Sequence, residues 1–144
     1  MSPHWGQTMS RKLLVIDDDG AICDFAGRLA QEADFEVVAV TDPRQAAAQF
    51  LTFRPDLVLL DLIMPGVDGI SVLDAILTSG IPAAIMLTVG ADAGEGYVRI
   101  AAGVTRYHGL APLPVLHKPF HREELLRVFR QIDDPIDPAA TAAV

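Results

Sequence analysis

Five short apolar runs, each followed by a stretch with helical spacing, constrain this chain more than any other feature. The runs are Leu13–Ile16, Phe35–Val40, Leu57–Leu60, Ala83–Leu87 and Leu113–His117. The first and third contain no polar residue to alternate with, the pattern of a strand covered on both faces. Between the runs, Ile22, Phe25, Ala26 and Leu29 fall at helical spacing within a helix expected over 21–33. Asp42-Pro43 opens the next helix, with Asp42 as N-cap and Pro43 at the first helical position. Further helices are expected over about 70–79, within 92–108 and over about 121–132. Regular strand–helix alternation implies right-handed crossovers and an α/β, doubly wound parallel sheet. Residues 1–10, Trp5 among them, carry no periodicity and read as a disordered leader. Residues 11–132 read as one domain, and 133–144, rich in Asp, Pro and Ala, as a tail or linker.

Composition matters here for what it excludes. Hydrophobic residues make up 51% of the 144, enough for an ordered core. The net charge is −8 and no Lys/Arg run occurs. Nucleic acid and anionic membrane are therefore not expected partners of this domain. The single cysteine, Cys23, excludes an internal disulfide and sits in an apolar helical pattern, as a buried structural thiol does. There is no signal-peptide pattern and no apolar run near the roughly eighteen residues of a membrane span. The expectation is a cytoplasmic domain.

In an open parallel sheet, ligands sit beyond the carboxyl ends of the strands. Here the first run ends in Asp17-Asp18-Asp19, the third in Asp61, the fourth in Thr88, and the fifth just before Lys118. Asp19 is expected to cap the first helix, and Asp68-Gly69 to make a turn and cap the third. The other three carboxylates crowd one edge and require a cation or raised pKa values. Oxygen ligands without Cys or His suit a hard ion, and Mg²⁺ fits best. Such an ion also lets a carboxylate attack a phosphoryl group, by neutralising charge on the transferring oxygens. Lys118 and the Thr88 hydroxyl would contact those same oxygens. His108, His117 and His121 have no metal-ligand spacing and read as surface or packing residues.

Four segments carry a resemblance. Val15-Ile16-Asp17-Asp18-Asp19, the stretch from Leu57 through Asp61 and Met64-Pro65-Gly66 to Gly69, Met86-Leu87-Thr88, and His117-Lys118-Pro119-Phe120 resemble the signature segments of response-regulator receiver domains. The resemblance covers roughly residues 11–132. It implies a flavodoxin-like fold with five strands in the order 2-1-3-4-5 and five helices. It makes Asp61 the phosphoacceptor, Thr88 the switch hydroxyl and Lys118 the phosphate-pairing lysine. For Mg²⁺ it implies Asp18 as a direct ligand, Asp17 acting mainly through water, Asp61, and the backbone carbonyl of Ile63. A cis Lys118-Pro119 bond is implied as well. The partners it implies are a sensor histidine kinase or phosphotransfer protein, an output domain or effector, and a possible homodimer. The face formed by the fourth helix, fifth strand and fifth helix would carry the signal.

The chain departs from that family pattern in four places. The stretch from Thr88 to Lys118 is longer than usual, and Gly90, Gly94 and Gly96 suggest a long loop before a displaced or longer fourth helix. Val115 stands where an aromatic switch residue is usual, and Val89 where a small residue follows the hydroxyl. Ile63 and Gly90 offer no polar side chain to position an attacking water, so a phosphorylated Asp61 is expected to hydrolyse slowly. An aspartyl-nucleophile phosphohydrolase would need an acid two residues after Asp61, where Ile63 stands. A flavodoxin-like cofactor binder would meet three aspartates where a phosphate should sit. A receiver-like interaction module that works without phosphorylation is the remaining alternative, kept open by the altered stretch 89–115.

Overall fold

The computed structural model describes residues 10–90 and 94–132. The expected leader (apart from Ser10), Trp5 and the tail 133–144 lie outside the described residues. The elements run β1 (Arg11–Ile16), α1 (Gly20–Glu32), β2 (Phe35–Val40), α2 (Ala46–Phe53), β3 (Leu57–Asp61), α3 (Gly69–Thr78), β4 (Ala84–Val89), α4 (Gly94–Tyr107), β5 (Val115–His117) and α5 (Arg122–Gln131). All five strands are parallel and hydrogen-bonded in the order β2-β1-β3-β4-β5, the order the resemblance implies.

The unalternated apolar runs have a direct cause. Leu13 to Ile16 are all fully buried, yet Leu13 and Val15 pack on one side of the sheet and Leu14 and Ile16 on the other. One side meets Cys23, Leu29, Leu126 and Phe129 from α1 and α5; the other meets Phe50, Leu73, Ile76 and Ala101 from α2, α3 and α4. A strand with a helix layer on each face has no solvent side on which to place a polar residue. Each such side chain contributes roughly 1.5–3 kcal/mol of transfer free energy.

Several local expectations need correction. Asp42 accepts a hydrogen bond from the Arg44 N–H, but it caps a 3₁₀ turn over Pro43–Gln45, and the α-helix starts only at Ala46. The turn after β3 contains a two-residue antiparallel ladder, Ile63–Met64 against Val67–Asp68, closed by Gly66 at φ +80°. β4 continues past Thr88 to Val89, and β5 is three residues long. Gly94 and Gly96 do not precede the fourth helix but lie in its first turn. α4 is 14 residues long, and residues 108–114 connect it to β5.

Candidate functional site

The carboxyl end of β1 turns sharply because Asp19 caps α1, accepting from the Ala21 N–H at 2.9 Å. That turn leaves Asp17 buried and Asp18 exposed. Asp17 is held in place from two sides. Its Oδ1 accepts from the Asp19 N–H at 2.9 Å, and its Oδ2 lies 2.9 Å from Lys118 Nζ.

Asp61 closes β3 beside Thr88 of β4, its register partner. Its Oδ1 accepts from the Ile63 N–H at 3.1 Å and its Oδ2 from Lys118 Nζ at 3.2 Å. One ligand oxygen from each of Asp17, Asp18 and Asp61 lies within 4.8 Å of the others. The five predicted side chains are therefore brought to one edge. The set is chemically suited to a hard divalent cation, since it offers carboxylate oxygens with no thiolate or imidazole among them.

Two features bear on reactivity. Burial, together with the nearby Asp17 charge, raises the Asp61 carboxyl above the usual carboxylate range, and the Ile63 N–H and Lys118 only partly offset this. Burial alone would weaken the charge on Lys118, but Asp17 and Asp61 outweigh it and hold the ammonium above its ordinary value. The Thr88 hydroxyl is buried and has no hydrogen-bond partner among the described residues. An orphaned hydroxyl of this kind costs stability unless something accepts from it. The Lys118-Pro119 peptide bond is cis, as the resemblance implies.

Cys23 lies directly beneath the site. Its thiol donates to the Asp17 carbonyl at 3.3 Å and is pushed up to about 11, chiefly by burial and then by Asp17. It is a packing residue with little thiolate character.

Gly69 is a site residue that the sequence pattern did not single out as such. A Cβ there would stand 2.4 Å from the Asp61 carbonyl oxygen and 2.6 Å from the Leu62 backbone. Its N–H also donates to the Leu62 carbonyl at 3.2 Å. Asp68-Gly69 showed a cap, and Asp68 does accept from the Ile70 N–H. The close approach to Asp61 comes from the Ile63–Met64/Val67–Asp68 hairpin folding back on the end of β3, which the cap signal alone does not reveal.

Comparison with known proteins agrees with this geometry. A model of the response regulator receiver domain matches residues 13–130. The sequence is 32% identical over 143 residues to the DNA-binding response regulator MtrA of Mycobacterium tuberculosis, covering 95% of this chain and 59% of that protein. The chain thus spans little more than half the length of this curated relative. In fold it is similar to the chemotaxis protein CheY4 of Vibrio cholerae, with a TM-score of 0.72 at 23% identity over 86% of this chain and 99% of that one. It is also similar to a CheY-like receiver domain protein of Methanospirillum hungatei, with a TM-score of 0.74 at 18% identity over 85% and 93% of the two chains. With the family's own pattern running from β1 into α5, the chain belongs to the receiver domains of response regulators, the signalling modules of two-component systems.

Proposed function

We propose that this domain accepts a phosphoryl group on Asp61 from the phosphohistidine of a sensor histidine kinase or phosphotransfer protein. The Asp61 carboxylate forms the new P–O bond, the P–N bond to the donor imidazole breaks, and the leaving nitrogen is protonated from solvent. One observation carries this reading: three carboxylates and a single ammonium meet beside a buried hydroxyl that has no partner.

Each residue has a task that follows from its position. Asp18 is the exposed carboxylate of the three, while both oxygens of Asp17 already accept from protein donors, so Asp18 is the freer ligand and Asp17 the supporting one. With Asp61 and the Ile63 carbonyl these residues would hold Mg²⁺, which supplies charge neutralisation on the transferring oxygens. Lys118 reaches Asp61 already and exchanges a carboxylate partner for a phosphoryl oxygen. Thr88 donates its unused hydrogen bond to the same group, which rewards the loaded state over the unloaded one.

Ile63 and Gly90 bring no side chain able to orient water, so the acyl phosphate is expected to be long-lived in the purified protein. MtrA is named as a DNA-binding protein, and by analogy the output of this domain is transcriptional, through a part other than the acidic receiver. No helix among the described residues is long and apolar enough to cross a membrane.

The test is incubation of wild type and Asp61→Ala with acetyl phosphate, with and without Mg²⁺, read by intact mass. A Mg²⁺-dependent gain of one phosphoryl group in wild type alone is expected. No gain in wild type, or an equal gain in the variant, overturns the assignment.

A further inference from the structure

A cavity of about 230 Å³ adjoins the loop that follows Asp61. Ile63, Met64, Gly66 and Asp68 wall it on the hairpin side, and Tyr97, in the first turn of α4, walls it on the other. The Ile63 N–H is bonded to Asp61 Oδ1, so this wall is tied directly to the acceptor carboxylate. Tyr97 itself is 38% exposed.

The helix that carries Tyr97 is held unevenly. At its carboxyl end His108 Nε2 meets Asp74 Oδ1 of α3 at 2.8 Å. Gly109, at φ +78°, donates to the Arg106 carbonyl, and Leu110 to that of Thr105, which closes the helix end. Ala101 and Thr105 anchor its middle in the core. In the first turn, Glu95, Gly96 and Tyr97 are all exposed. A glycine there weakens the helix further, since its backbone has more freedom to lose. Val98 and Ala101 hold the helix to the core behind this exposed turn, so a shift of α4 about its carboxyl end displaces Tyr97 more than the residues nearer that end.

We infer that Tyr97 is a positioning residue of the phosphoacceptor site: its ring packs into this cavity against the hairpin when Asp61 is loaded. The inference rests on Asp61 as the acceptor. Loading Asp61 changes the partners of the carboxylate that Ile63 binds, and this alters one wall of the cavity. A half-exposed aromatic ring gains buried area by settling against that wall, and this gain makes the loaded state favour one placement of α4. Reciprocity then requires that Tyr97 raise the affinity of the site for whatever loads it.

The test uses the full chain labelled with 3-fluorotyrosine. There are two tyrosines, and Tyr107→Phe assigns the resonances. Beryllofluoride is added with Mg²⁺, and its own fluorine signal reports binding independently. The Tyr97 resonance is expected to shift on binding, while that of Tyr107, 86% exposed, stays in place. Tyr97→Ala is expected to weaken beryllofluoride binding about 5-fold or more, the lower end of typical coupling between sites. Tyr97→Phe, which keeps the ring, should retain most of the affinity. Bound beryllofluoride with an unmoved Tyr97 resonance, or unchanged affinity in Tyr97→Ala, overturns the inference and leaves Asp61 as the acceptor. If no beryllofluoride binds, the phosphoacceptor reading fails as well.

Discussion

The edge that carries Asp17, Asp61 and Lys118 and the edge formed by α4 are built on different terms. At the first, Lys118 holds two carboxylates at 2.9–3.2 Å, and the strand residues behind Asp17 and Asp61 are buried. At the second, a single helix carries three of the five large apolar side chains exposed among the described residues: Tyr97, Ile100 and Tyr107. Glycine makes the contrast concrete. Gly69 lies so close to the Asp61 and Leu62 backbone that a methyl group has no room, whereas a Cβ on Gly96 meets nothing within 4 Å. Positions that hold the chemistry are crowded from several directions. Positions suited to carry a signal outward are held at one end and loose at the other, as a two-state element requires.

The most forceful attempt to break the comparison is Gly69→Ala. The new Cβ must displace backbone rather than a flexible side chain, so a loss of about 3 kcal/mol is expected in urea unfolding. A near-neutral result would mean that the acceptor edge is as forgiving as α4. Next comes Lys118→Met, which leaves Asp17 and Asp61 facing each other without a counter-charge. It should cost about 2 kcal/mol near neutral pH in metal-free buffer, with part of the loss recovered by excess Mg²⁺.

Asp61→Asn sharpens the comparison through pH. The folded chain holds the Asp61 proton more tightly than the unfolded chain does. Stability in metal-free buffer therefore falls as pH rises from the ordinary carboxylate value through the raised one. Unfolding midpoints of Asp61→Asn should lack that decline and lie above wild type at neutral pH. A steeper decline in the variant would contradict the burial argument. The smallest effect is expected from Gly96→Ala, a gain of about 0.5–1 kcal/mol from reduced freedom of the unfolded chain and improved helix propensity. A loss of stability there would show that α4 has a tightly specified first turn after all.

The acceptor edge was also the more legible of the two in the sequence. Its residues announce themselves because a buried apolar run breaks where a charge begins, so Asp17, Asp61 and Lys118 each mark a boundary, whereas β4 runs on past Thr88 to Val89. Three things there stayed hidden. Lys118 lies closer to Asp17 than to Asp61, a contact between segments far apart in the chain, while Cys23 bonds to the Asp17 carbonyl and Gly69 touches the Asp61 backbone only because the chain folds back on itself after β1 and β3. The α4 edge misled more directly. Gly94 and Gly96 argued for a loop by propensity, but the helix forms because Ala101 and Thr105 bury its middle, and tertiary packing outweighs about 1 kcal/mol per glycine. The 3₁₀ turn after Asp42 was missed for a similar reason, since capping chemistry marks where a turn starts and not which turn follows.

The sharing of Lys118 between two carboxylates has a consequence for ion choice. Three carboxylates against one ammonium leave two formal negative charges at this edge. A monovalent ion would leave the edge anionic and repel an incoming phosphoryl group, whereas one divalent ion brings it to neutrality. On this count the shared lysine favours a divalent over a monovalent ion at the edge.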